Sequence, residues 1–442
     1  MQRFTLMIYR RKNMKKSTVK KLLVAMLSFA MIFAMAACGG GSSEGEEASS
    51  EGAAGALKIF NSKMEIQDVF ESDLASAYEA EAGVPVEVYY SSDTVAAHLS
   101  TKYASKDPYA VNMVDEKDLY SLAKEYGADM SDMDWVKDTN YAVTVDGKVV
   151  GFPVCVEARG IIYNATAIEN ALGEKFDPAS IKTLDDFKAI CDKLVAAGME
   201  TPTSIMKEDW SLGAHYLAQF IEEREDVDGY VASLKAGEAK VIDDAKFNAL
   251  MDTFDVLKEY NMWKGQEGSA ERELSEQALA EGKIAFMFGG NWDFAMMKDF
   301  DYTGGAGMMP VPQNLEDAYT GKLVGGGSKY FYVDASEGTS AETQQAAKDF
   351  LAWFASSDTA HKFVSETCGM VSPFGSNTVT CTDDLGASVK GFADADMLIP
   401  NYPGFPDDHY SVIGAEMQKY LASQCTREEL ATAIENYWKA QA

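Results

Sequence analysis

The sequence is poor in the residues that usually announce catalysis or scaffolding. It has four histidines, and no two stand at the H-E-x-x-H spacing that zinc peptidases need. Six cysteines occur among 442 residues without a C-x-x-C pair, which excludes zinc-finger ligand spacing. G-x-S-x-G is absent, and the glycine run at 325–329 ends in Ser-Lys, lacking the G-K-[ST] of a phosphate-binding loop. Asp129, Asp132 and Asp134 miss the alternation, central glycine and terminal glutamate of a calcium loop. No fixed-period repeat is present, so a solenoid or propeller is not expected.

Positive charge is scarce. Lys and Arg number 39 against 69 Asp and Glu, and eight of the basic residues lie within residues 1–37, which hold no acid. From Cys38 onward 31 basic residues face 69 acidic ones, a balance of −38. Such a surface repels phosphate backbones, so no nucleic-acid partner is expected. The longest apolar run, residues 22–37, is 16 residues, short of the ~20 needed to span a bilayer.

What is present is otherwise ordinary for a globular protein: 47% hydrophobic and 24% charged residues. The length suggests roughly two or three domains, enough to bury a core without disulfides or metal. The front end has its own organisation. Lys15, Lys16, Lys20 and Lys21 precede the apolar run, which ends in Met35-Ala36-Ala37-Cys38. A positive flank, an apolar middle and small closing residues describe an export signal, residues 1–37. Met14 offers a second start for it. The ending resembles a bacterial lipobox, which implies lipidation of Cys38; cleavage near Ala37 with release of the chain is the alternative. Residues 38–56 then read as the lipidated cysteine and a flexible acidic linker without large apolar side chains.

Beyond the linker, strand and helix patterns alternate. Leu57–Phe60, residues 84–90 and residues 109–114 read as strands separated by helices, the first of which carries Ile66, Val69, Phe70, Leu74 and Tyr78 on one face and stops at Gly83. Thr183 to Asp186 predicts a capping box that opens a helix ending at Gly198, and Thr426 to Glu429 another that opens the last helix. Helices are expected at 269–281 and 341–354, a buried strand at 284–288, and glycine-rich turns at 304–312 and 325–329. This rhythm argues for an α/β sheet with ligand loops at strand ends. Cys155, Cys191, Cys368, Cys381 and Cys425 read mostly as buried free thiols, although Cys368 and Cys381 stand close enough in sequence to pair.

Four segments resemble a known family in order and spacing: residues 146–164, the helix at 183–198, residues 280–292, and residues 307–312 together with 324–327 and 346–354. The chain resembles the extracellular solute-binding proteins of bacterial ABC importers, of the maltodextrin-type, family 1 sugar-binding group. The resemblance implies a two-lobe, periplasmic-binding-protein-like (type II) α/β fold with a hinge and an interlobe ligand cleft. It places lobe 1 at 57–155 plus 328–370 and lobe 2 at 156–327 plus 371–442. It implies a monomeric binder without enzymatic activity or cofactor. Its partners would be a carbohydrate and a membrane permease. A non-sugar solute (a polyamine or an iron complex) and a secreted lipoprotein glycosidase remain open.

Sugar rings pack their C–H faces on aromatic rings and donate hydroxyls to carboxylates and amides, so a cleft should combine both residue types. The resemblance assigns sugar stacking to Trp292, with Asn291 beside it, and ligand binding to Glu157, whose alternative role is an ion pair with Arg159. It also points to Glu208, Asp209 and Trp210; Glu208 alternatively caps a helix. Asn61 and Lys63 after the first strand, Asp115 and Glu116 after a later one, and His409 or Tyr410 near the C-terminus complete the candidate set.

Overall fold

The computed structural model describes residues 55–91 and 93–442. The expected signal at 1–37, Cys38 and the linker up to residue 54 lie outside the described residues. Ten strands occur in the described part: β1 (Leu57–Phe60), β2 (Val86–Tyr89), β3 (Val111–Asp115), β4 (Val143–Val145), β5 (Lys148–Asn164), β6 (Thr203–Ser204), β7 (Phe286–Gly290), β8 (Ala306–Met309), β9 (Leu323–Val333) and β10 (Leu398–Ile399). Their main path runs β2-β1-β3-β9-β5-β7-β6. Two long strands tie it together: β5 spans 17 residues and β9 spans 11.

β9 pairs with β3 through Val111↔Val333 to Asp115↔Lys329, and with β5 through Phe152↔Phe331 to Arg159↔Val324. The far half of β5 pairs with β7 and β8. A third segment joins this seam where Val156 N donates to Val371 O at 2.9 Å. The molecule therefore has two lobes that share one sheet. Buried side chains gather accordingly around separate centres. One holds Ile59, Phe70, Met113, Phe152, Phe331, Phe350 and Phe354. The other holds Phe187, Tyr216, Phe220, Phe254, Phe286, Phe288 and Trp438.

Local chemistry explains most element ends. Thr183 Oγ1 accepts from Asp186 N at 3.2 Å while Asp186 Oδ2 accepts from Thr183 N at 3.0 Å, opening helix Leu184–Ala196. Thr426 and Glu429 repeat the arrangement before helix Arg427–Ala440. These side chains satisfy amide groups that a helix start leaves without partners. The helical run at 64–82 contains a π-type turn at Phe70–Ala75 and stops at Gly83, whose φ of +71° suits glycine.

Four expectations need correction. Residues 304–312 are not one turn, because Ala306–Met309 form β8 against β5. Residues 325–329 form no turn; they lie inside β9. A Cβ on Gly325 would stand 2.4 Å from Glu157 O and 2.6 Å from Ala158 Cα, so glycine is there to let β5 approach. The strand expected at 284–288 is displaced to Phe286–Gly290, because Gly289 and Gly290 continue the ladder opposite Gly160 and Arg159. The helix expected from 269 starts at Arg272, after a short turn at Glu267–Ser269. All five described cysteines are free; Cys155, Cys191 and Cys381 are buried, and Cys368 and Cys381 do not pair. Among the described residues, no cluster of three His, Cys, Asp or Glu is disposed to hold a metal, and no helix is long and apolar enough to cross a membrane.

Candidate functional site

On the second lobe, β7 delivers Trp292 to a short turn, Asn291–Asp293. The turn is fixed from both sides. Asp293 Oδ2 accepts from Gly290 N at 2.9 Å, and Asn291 Oδ1 accepts from Ala158 N on β5 at 2.9 Å. Asn291 is thus buried and occupied as a strap between strands. The indole of Trp292 lies over Gly290, where a Cβ would meet the ring at 2.2 Å. Trp292 remains half-buried, and its Nε1 has no hydrogen-bond partner among the described residues.

A row of rings follows. His215 lies 4.9 Å from Trp292 and 5.1 Å from Trp210, centroid to centroid, tilted at 51° and 80°. Arg272 supports the row from behind. Its guanidinium sits 4.4 Å over the Trp210 ring, Nη1 binds Asp293 Oδ1 at 2.6 Å, and Nη2 donates to Ser211 Oγ at 3.0 Å. Burial alone would lower Arg272, but Asp293 and Glu208 raise it further above its ordinary range. Burial, reinforced by Arg159 and Arg272, holds His215 neutral, well below the usual imidazole range. Glu276, beside the same Asp293, is pushed by burial and that carboxylate up to about 9 and keeps its proton at neutral pH.

Glu208 does not cap the following helical segment; its Oε2 lies 3.6 Å from Arg272 and makes no hydrogen bond among the described residues. Asp209 is turned back on its own chain, Oδ1 accepting from Trp210 N at 2.7 Å. Its carbonyl sits so close to Gly414 that a Cβ there would lie 2.3 Å away.

The first lobe contributes a buried ion cluster at the seam. Asn61 is fully buried and its Oδ1 accepts from Lys63 N at 2.8 Å, shaping the loop after β1. The Lys63 ammonium, only 3% exposed, contacts Glu65 at 2.6 Å and Glu157 on β5 at 2.7 Å. Burial would lower Lys63, yet Glu157, Cys155 and Glu65 hold it well above its ordinary value. Asp115 pairs with Lys329 of β9 at 2.5 Å. Glu116, half-buried, is pushed up to about 7 by burial and by Glu222 of the other lobe.

One alternative at the site is corrected. Glu157 does not pair with Arg159. Arg159 is taken by His215 O at 2.8 Å, Asn401 Oδ1 at 2.6 Å and the Glu222 carboxylate, which leaves Glu157 to Lys63. His409 is 3% exposed, packed 4.4 Å from Phe405 and 5.5 Å from Trp438, and pushed by burial down to about 3. Its neighbour Tyr410 stays half-buried, with its carbonyl against Gly213. Sequence reasoning missed His215, Arg272 and Glu276. A buried Arg and a buried neutral Glu carry no local signature, because only tertiary packing brings Asp293 to them.

Several cavities lie elsewhere among the described residues, two of which flank the second lobe and the seam. One of about 950 Å³ runs along residues 310–322 beside Tyr163 and Phe392, and one of about 420 Å³ flanks the third seam segment at Val371 and Pro373. Neither touches the tryptophan row.

The family profile of bacterial extracellular solute-binding proteins matches residues 73–378. No curated relative matches the chain. Among solved structures the chain is similar to a putative binding protein, MsmE, from Bacillus subtilis in an open conformation, with 20% identity, TM-score 0.69, and 87% of this chain and 97% of that one covered. It is similar to RafE, known from Streptococcus pneumoniae, in complex with raffinose, at 19% identity and TM-score 0.69, covering 87% and 99%. A sugar transporter protein of Bacillus licheniformis in complex with stachyose follows at 18% identity and TM-score 0.66, covering 88% and 100%. These likenesses show a shared two-lobe fold. With that fold and a family profile running through most of its length, the chain belongs to the bacterial extracellular solute-binding proteins.

Proposed function

We propose that this protein captures a carbohydrate, an oligosaccharide in particular, outside the cytoplasm and hands it unaltered to the permease of an ABC importer. The observation that carries this reading is the Trp210–His215–Trp292 row beside Glu208 and Arg272, which offers ring faces for sugar C–H surfaces and polar atoms for hydroxyls. Neighbours of the same fold hold raffinose and stachyose, which supports the same solute class. Lobe 1 comprises 57–155 plus 328–370 and lobe 2 comprises 156–327 plus 371–442. The separate cores support this division, although Phe374 packs with the first core and extends that boundary slightly. Closure of the lobes brings Lys63, Asp115 and Glu116 of lobe 1 toward Glu157 and the tryptophan wall of lobe 2. Cys38 carries the lipid, and the acidic residues behind it form the leash.

Calorimetry with the mature protein and a panel of mono- and oligosaccharides tests the solute class. Binding without product release is the expected result. Release of shorter sugars would replace the reading with a glycosidase, and binding of a polyamine or iron chelate alone would replace the solute. The anchor is tested separately: Cys38→Ala should move the protein from the membrane fraction to the medium.

A further inference from the structure

Each cation that reaches the candidate site is already held by a carboxylate. Arg272 is bound by Asp293 at 2.6 Å, with Glu208 at 3.6 Å. Lys63 is shared by Glu65 and Glu157 at 2.6 and 2.7 Å. Lys329 is bound by Asp115 at 2.5 Å, and Arg159 by Glu222. Carboxylates outnumber these cations, since Arg272 faces both Asp293 and Glu208 and Lys63 faces both Glu65 and Glu157, and Glu116 stands in the same surroundings without an ion-pair partner among the described residues. Lys298 has no carboxylate contact among the described residues, but it is exposed beyond the tryptophan turn, and its charge acts on Asp383 and Cys368.

A charged sugar entering such a site must shed water and find a counter-charge. A uronate or sulfate finds none free. Taking Arg272 or Lys63 from its partner would strand a carboxylate in a partly buried place, which is more costly than the original pair. A neutral hydroxyl meets no such obstacle, because it can donate to a carboxylate and accept from an N–H without a counter-charge, and Glu208 Oε2 and Trp292 Nε1 are buried there without partners among the described residues. The wider field acts the same way. A balance of −38 beyond residue 37 slows the approach of anions.

We propose that the cleft selects uncharged saccharides and rejects those bearing carboxylate or sulfate groups. The proposal rests on the carbohydrate reading above and narrows its substrate class. The test is calorimetry of the mature full-length protein with raffinose, maltotriose and mannotriose against trigalacturonate, at low and at physiological salt. The expected result is binding of at least one neutral trisaccharide with trigalacturonate at least 100-fold weaker, the gap narrowing as salt rises. Glu208→Gln and, independently, Glu116→Gln should each reduce the gap about tenfold with little change in melting temperature. Trigalacturonate binding as tightly as any neutral sugar overturns the selectivity while leaving the carbohydrate reading intact. An unchanged gap in both variants also overturns it. Failure of every saccharide, neutral and acidic, removes the carbohydrate reading and this inference with it.

Discussion

At the scale of single residues, burial and partnership separate side chains that sequence position alone treats alike. Trp292 is half-buried, whereas Trp438 is fully buried in the second core, and the Nε1 of each lacks a partner among the described residues. Trp292→Ala should weaken sugar binding by about 1–3 kcal/mol and leave the melting temperature nearly unchanged; calorimetry and a thermal scan read the two effects. A large loss of stability at unaltered affinity would make it a core residue instead. His409 supplies a pH test. Its folded value near 3 lies below the unfolded 6.5, so below pH 6.5 the unfolded chain binds a proton that the folded one refuses. Stability contributed by this group is therefore complete above pH 6.5 and falls as pH drops toward 3, by ~3–5 kcal/mol. Urea midpoints of His409→Asn across pH 4–7 should slope less steeply than those of the parent. The family resemblance singled out Trp292 and Glu157 as candidates, but the partner of Glu157 was not legible in the sequence. Lys63 and Glu157 are 94 positions apart, and only the folded seam brings them into contact.

At the scale of elements, polar punctuation was easy to read and glycine was not. The Thr183 and Thr426 boxes are local, four-residue devices, and both sit where the spacing placed them. Thr183→Ala should cost about 1 kcal/mol, visible as a small drop in the urea midpoint. Glycine runs are ambiguous because the same residue serves turns and close strand approach. In β9 the second use prevails. Gly325→Val would force a side chain into the Glu157 carbonyl and should destabilise by about 3 kcal/mol, with the denaturant midpoint as the measure. A neutral outcome would mean that β5 and β9 can separate locally. Arg272 joins two elements far apart in sequence, the Trp210 segment and the Trp292 turn. Arg272→Lys keeps the charge but loses the forked geometry. It should weaken sugar binding more than it lowers stability, with an altered tryptophan emission spectrum as the signature.

At the scale of the whole molecule, the order of strand and helix patterns made the α/β class legible, and the four family-like segments made the two lobes legible. The sharing of one sheet between them was not, since pairing between β3 and β9 joins residues more than 200 positions apart. Small-angle scattering should show contraction on adding a bound saccharide, and saturation at 100 times Kd should raise stability by ~2.7 kcal/mol. Unchanged dimensions with measurable binding would argue against closure.

β5 and β9 run side by side through both lobes, laced by backbone hydrogen bonds from Phe152↔Phe331 to Arg159↔Val324. Two loose cords would let the halves slide, twist and drift apart. A laced pair acts like the spine of a book: if the lobes close as proposed, it lets them bend about one line while resisting shear, so the covers would meet in the same register each time. Residues far from the fold line then travel farthest for a given bend, and substitutions at the outer margins should tune grip while the spine itself stays intact.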